Sequence, residues 1–170
     1  EKLRLRDERN RELLENISPD LLKLKDGAGQ EQRSLKFEMA TVLFAEIHGF
    51  SRVMSGDSSE GLMDELDEVL YVFDSVVEKY KIEKIKTIGD TYMCAGGIPV
   101  KNITNRVDVV MTALEMSNFL HDVEDRKRGK TNRIWDLKIG IHTGPVTANI
   151  SGKKKISYDI KGDTVNTASR

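Results

Sequence analysis

Apolar and polar residues alternate along the chain in a way that divides it into a short series of strands and helices. Phe37 to Ile47 is a nearly continuous apolar run, the pattern of a buried strand. Ser58 to Lys79 carries Leu62, Leu66, Val69, Leu70, Phe73, Val76 and Val77 on one side of a helix. Ile82 to Ala95 reads as two short strands meeting at Gly89-Asp90, a pair that accepts the backbone angles of a tight hairpin turn. Gly96-Gly97-Ile98-Pro99 breaks the pattern. A second helix is expected over Asn105 to Arg126, with Val109, Val110, Ala113, Leu114, Met116, Phe119 and Leu120 as its apolar residues. Trp135 to His142 alternates like a strand, and Thr143-Gly144-Pro145 predicts a turn into a further strand, Val146 to Ile150. Ser151-Gly152-Lys153-Lys154-Lys155 predicts another turn, before a short strand from Ile156 to Ile160. Gly162-Asp163-Thr164 opens a last helix that contains Asn166 and Arg170.

The order is strand, helix, hairpin, helix, hairpin, strand, helix. It predicts an α+β domain in which helices cover a largely antiparallel sheet of ferredoxin-like or palm type. Residues 1–35 stand apart from this domain, which spans 36–170. Glu1 to Asn16 is dense in Lys, Arg and Glu, has no Gly or Pro, and is expected to be helical. Leu14, Ile17, Leu21 and Leu24 form a short heptad seam, with Ser18-Pro19 as an interruption able to restart a helix. Asp26-Gly27-Ala28-Gly29-Gln30 ends it. Two readings stay open: a solvated spacer, or a signalling helix that pairs with a second copy.

Composition narrows the function. A net charge of -1 gives no global argument for nucleic acid or an anionic membrane. Arg126-Lys127-Arg128-Gly129-Lys130 reads as a solvated surface loop. Cys94 is the single cysteine, so the chain has no internal disulfide and fits a reduced, cytoplasmic setting. No apolar run approaches the roughly 20 residues of a membrane span.

Two acids sit in similar contexts. Asp90 lies at the hairpin tip, and Glu46 ends the first strand in Phe44-Ala45-Glu46-Ile47-His48-Gly49-Phe50. Carboxylates at neighbouring strand ends can hold hard divalent cations, which take oxygen ligands. The plainer reading of the pattern is that both simply cap turns. A helix starting at Gly49 and Phe50 would aim its backbone N–H groups at an anion held there.

Four stretches together carry a family resemblance. They are Phe44 to Phe50, Lys84 to Met93, Leu137 to Val146 (Leu-Lys-Ile-Gly-Ile-His-Thr-Gly-Pro-Val) and Tyr158 to Arg170 (Tyr-Asp-Ile-Lys-Gly-Asp-Thr-Val-Asn-Thr-Ala-Ser-Arg). In this order and spacing the chain resembles the catalytic domain of class III nucleotidyl cyclases. The helix with Asn16-Ile17-Ser18-Pro19 is similar to the linker that relays an upstream sensor or regulatory domain. The resemblance implies that Glu46, Asp90 and the carbonyl of Ile47 hold two divalent cations, Mg²⁺ or Mn²⁺. Glu46 stands where the family has Asp, and its extra methylene implies weak Mg²⁺ activity or a preference for Mn²⁺. Lys86 and Asp159 match the purine-reading pair in its adenine form. Asn166 and Arg170 match the pair that orients ribose and neutralises phosphate, on one helix at i and i+4. Lys138 matches a phosphate contact. The metal set and the base set come from different protomers in the family, which implies a homodimer. The family's domain also continues past the position of Arg170, where a further phosphate-binding Lys is normal. The implied function is an adenylyl cyclase acting on ATP. A guanylyl or relaxed-specificity cyclase and an inactive dimerisation module are the alternatives.

Overall fold

A computed structural model describes residues 33–48, 59–127, 135–151 and 157–170. The expected linker helices, Gly49 and Phe50 lie outside the described residues, as do most of the basic loop and the Ser151–Lys155 turn. Five strands form one sheet: β1 (Arg33–His48), β2 (Glu83–Ile88), β3 (Thr91–Gly96), β4 (Asp136–Ser151) and β5 (Ser157–Lys161). Three helices are described: α1 (Ser59–Lys79), α2 (Asn105–Lys127) and α3 (Asp163–Ala168). The strand order is β2-β3-β1-β4-β5, with every neighbouring pair antiparallel. That is the split arrangement of a ferredoxin-like fold, extended at one edge by β5.

Strand periodicity sends alternate residues of β1 to two separate cores. Leu43, Ala45 and Ile47 join Tyr92 and Cys94 of β3 against Leu66, Val69, Phe73, Val76 and Val77 of α1 and Val109, Ala113, Met116 and Leu120 of α2. Val42 faces the other way, with Met93, Ala95, Val146, Ala148, Ile160 and Ala168. The larger core is thus the one the helical spacing anticipates.

The hairpin forms where Gly89-Asp90 predicts it. Gly89 has φ 61, while Asp90 is not among the residues of positive φ. A positive φ at the first central position is the pattern of a type II′ turn, which glycine enters without steric cost.

The turn expected at Thr143-Gly144-Pro145 does not form. One strand of 16 residues runs through it from Asp136 to Ser151. Phe37 pairs with Val146 and Ala40 with Gly144, so Glu38 and Met39 together oppose Pro145. This β-bulge on β1 is what lets a residue without an N–H stand inside a sheet. The carbonyl of Pro145 accepts a 2.8 Å hydrogen bond from Thr164 Oγ1 at the start of α3. Long-range pairing with β1 therefore overrides the local turn signal. The first strand is longer than its apolar run for the same reason, because β4 gives it partners back to Arg33.

Glycines on β4 admit α3 against the second core. A Cβ at Gly140 would run into the Ala168 carbonyl oxygen, and one at Gly144 would lie 2.5 Å from Thr164 Oγ1. Gly140→Ala is therefore expected to cost about 1–3 kcal/mol by overpacking. Thermal unfolding would show a lowered midpoint, and an unchanged one would mean that α3 moves aside freely.

Candidate active site

The structure sets the sequence-selected residues on one end and two edges of the sheet. Glu46 pairs with Thr91 on one side and Lys138 on the other, so these three form a row on the face away from α1 and α2. The N–H of Ile47 donates to the carbonyl of Asp90 at 3.0 Å, which fastens the hairpin tip beside the end of β1. The Ile47 side chain is buried in the larger core. Glu46 Oε2 lies 3.0 Å from His48 Nε2, and His48 pairs with Asp136 on the same face. Among the described residues, no three carboxylate, imidazole or thiol groups converge as a metal cluster. Glu46 and Asp90 are carboxylates and the Ile47 carbonyl is a third oxygen, a donor set that suits hard divalent cations.

The second group joins opposite edges of the sheet. Lys86 Nζ on β2 lies 2.8 Å from Asp159 Oδ1 on β5, across 73 positions of sequence. These strands are the first and last of the order β2-β3-β1-β4-β5, so the sheet curls until its edges meet. Both side chains remain accessible, at 42% and 43%. That openness leaves room for a ligand to compete for either group.

Asn166 and Arg170 are both exposed. Asn166 lies within α3, but the helix stops at Ala168, so Arg170 follows it and does not ride on it at i+4. The backbone continues the turn, with the Arg170 N–H on the Thr167 carbonyl at 3.3 Å.

One cluster escapes the sequence reading. Asp74 Oδ1 accepts from Lys84 Nζ at 2.6 Å and from the Tyr92 hydroxyl at 2.7 Å. Burial first, and the bond to Asp74 second, push the Tyr92 phenol well above its usual range, so it stays a donor. The signal available in sequence is an acid at the edge of the apolar stripe, three residues before Val77 and four after Leu70. Cys94 is fully buried in the same core, and burial pushes its thiol up, away from reactivity.

Residues 33–170 match the adenylate and guanylate cyclase catalytic domain. The chain belongs to this family. It is 34% identical over 161 residues to a receptor-type guanylate cyclase of Drosophila melanogaster, a match covering 94% of this chain and 10% of that protein. It is 32% identical over 166 residues to an adenylate cyclase of Mycobacterium tuberculosis, covering 96% of this chain and 36% of that protein. Against the solved adenylyl cyclase CyaB from P. aeruginosa the TM-score is 0.73 at 26% identity, over 81% of this chain and 72% of that one. This cyclase-family chain thus spans between a tenth and about a third of the two curated relatives. Among its described residues, no helix is long and apolar enough to cross a membrane.

Proposed function

We propose that this domain is an adenylyl cyclase converting ATP to 3′,5′-cyclic AMP and pyrophosphate. The observation that carries the reading is the Lys86–Asp159 pair at 2.8 Å. An ammonium donates to adenine N1, and a carboxylate accepts from the adenine 6-amino group. Guanine offers the opposite at both positions, an N–H at N1 and a carbonyl at C6. In a closed site the wrong base leaves polar groups unpaired, which is the strongest discrimination that hydrogen bonding offers.

Two divalent ions held by Glu46, Asp90 and the Ile47 carbonyl would supply acidity to the ribose 3′-hydroxyl and charge to the phosphates. The protein's own groups do the rest. Lys138, exposed in the same row as Glu46, offers a cation to the phosphates. Asn166 orients the ribose, and Arg170 brings a fixed fork of donors to the phosphate oxygens. The hydroxyl proton leaves to solvent as the α-phosphorus bond forms and the bond to pyrophosphate breaks.

Each chain holds both a carboxylate set and a base-reading set. We assign these to different sites of a homodimer, each site taking one set from each protomer. Of the expected linker, residues 1–35, the last three belong to β1; the stretch before them would act as the linker to an upstream regulatory region, in a reduced, cytoplasmic setting.

A guanylyl cyclase is the second reading, favoured by the 34% identity to the receptor-type guanylate cyclase. Product analysis with ATP and GTP, each with Mg²⁺ and with Mn²⁺, decides between the two. Cyclic AMP in excess is the expected result, with Mn²⁺ the better ion because Glu46 is one methylene longer than Asp. Cyclic GMP in excess would establish the second reading. No cyclic product from either nucleotide would reduce the domain to a dimerisation module.

A further inference from the structure

Lys84 and Lys86 are two residues apart on one strand, yet they face opposite sides of the sheet. Lys84 pairs with Cys94 and Lys86 with Met93, the next residue of β3, so Ile85 is an extra residue in β2. In an unbroken ladder both lysines would share a face. Cys94 belongs to the core under α1 and α2, and Met93 to the opposite core. Lys84 accordingly reaches Asp74 on α1, while Lys86 reaches Asp159 on β5.

Asp74 grips the hairpin on both sides of this bulge. Lys84 precedes it, and Tyr92 pairs with Thr87, which follows it. One carboxylate oxygen, Oδ1, receives both donors. The Lys84 ammonium also stands 5.0 Å from the centroid of the Tyr92 ring, and Phe73, beside Asp74 on α1, meets that ring edge-on at 5.7 Å. The two bonds differ in weight. Lys84 and Asp74 keep 41% and 46% of their side chains exposed, so water screens their attraction. Tyr92 is fully buried, and without Asp74 its hydroxyl would lose the acceptor that satisfies it.

We propose that Asp74 is a positioning residue for base selection: by clamping the hairpin to α1 on both sides of the bulge at Ile85, it fixes the face from which Lys86 meets Asp159. The proposal rests on the reading of Lys86 and Asp159 as the base-recognising pair. Loss of the clamp lets the bulge anneal into a regular ladder, and regular alternation turns Lys86 to the helix face. Asn at position 74 still offers a carbonyl oxygen to Tyr92, so Asp74→Asn is the conservative control.

Two readouts test this in the intact protein, with circular dichroism to show that each variant is folded. Carbodiimide cross-linking followed by mass spectrometry reports whether Lys86 and Asp159 are in contact. The ratio of kcat/KM for ATP to that for GTP reports base selection, and competition of the two nucleotides for binding gives the same ratio if turnover is absent. Asp74→Ala is expected to lower the cross-link at least fivefold and to move the ratio about tenfold towards unity. Asp74→Asn is expected to keep both within twofold. Tyr92→Phe, which keeps the ring, is expected to shift both in the same direction as Asp74→Ala and serves if that variant does not fold. An unchanged cross-link in folded Asp74→Ala and Tyr92→Phe overturns the clamp. A reduced cross-link with an unmoved ratio overturns the base-selection role, and places the failure in the reading of the pair.

Discussion

Replacing Lys86 by Glu together with Asp159 by Cys is expected, on the adenylyl reading proposed above, to turn the preference of this domain from ATP towards GTP. Glu accepts from the guanine N1–H, where Lys can only donate. Cys removes the acceptor that faces the guanine carbonyl and offers a weak S–H donor instead. Each mismatch corrected is worth about 1–3 kcal/mol in a closed site. Both groups are half exposed here, so the lower part of that range applies, and two positions give on the order of a hundredfold change in the kcat/KM ratio. Stability is expected to stay near wild type, because an accessible ion pair contributes about 0–1 kcal/mol. The measurement is the ratio of cyclic products at equal, subsaturating ATP and GTP. A double variant that loses both activities in proportion would show that the pair holds the sheet edges together and does not read the base.

The residues behind this prediction were legible because the motif is local. Gly89-Asp90 marks the turn, and the flanking β-branched runs mark the strands, so the hairpin follows from its own sequence. The apolar stripe of α1 follows equally from its spacing, whereas on α2 Val110 and Leu114, expected among its apolar residues, stand exposed. What the sequence could not show is set by distant partners. Pro145 looks like a turn residue until β1 supplies a bulge opposite it. Alternation places Lys84 and Lys86 on one face until β3 pairs with them one residue out of step. Asp74 looks like a solvated helix acid until Tyr92 and Lys84 arrive from the hairpin. The curl that joins β2 to β5 likewise comes from the whole sheet, and no single segment encodes it. Motif residues were therefore identifiable one by one, while the devices that aim them were not.

Asp90→Asn is expected to remove cyclase activity while leaving the fold intact. The hairpin tip is held to β1 through the main-chain carbonyl of Asp90, which accepts from the Ile47 N–H at 3.0 Å. That bond is indifferent to the side chain. Asn also tolerates turn conformations as well as Asp does. The change in stability should thus stay within about 0.5 kcal/mol. On the proposed assignment of Glu46 and Asp90 to the cations, the loss to chemistry is much larger, because a neutral amide is a poor ligand for a hard cation and leaves Glu46 as the single carboxylate of the set. A fall in kcat on the order of 10²–10³-fold is expected, the size seen when one preorganised electrostatic group is removed from a transition state. Excess Mn²⁺ should recover part of it if the defect is in ion affinity. Paired measurements of kcat and thermal midpoint separate the two roles. Activity retained with a normal midpoint would make Asp90 a turn residue and nothing more. Activity lost along with the midpoint would mean that the carboxylate serves the fold.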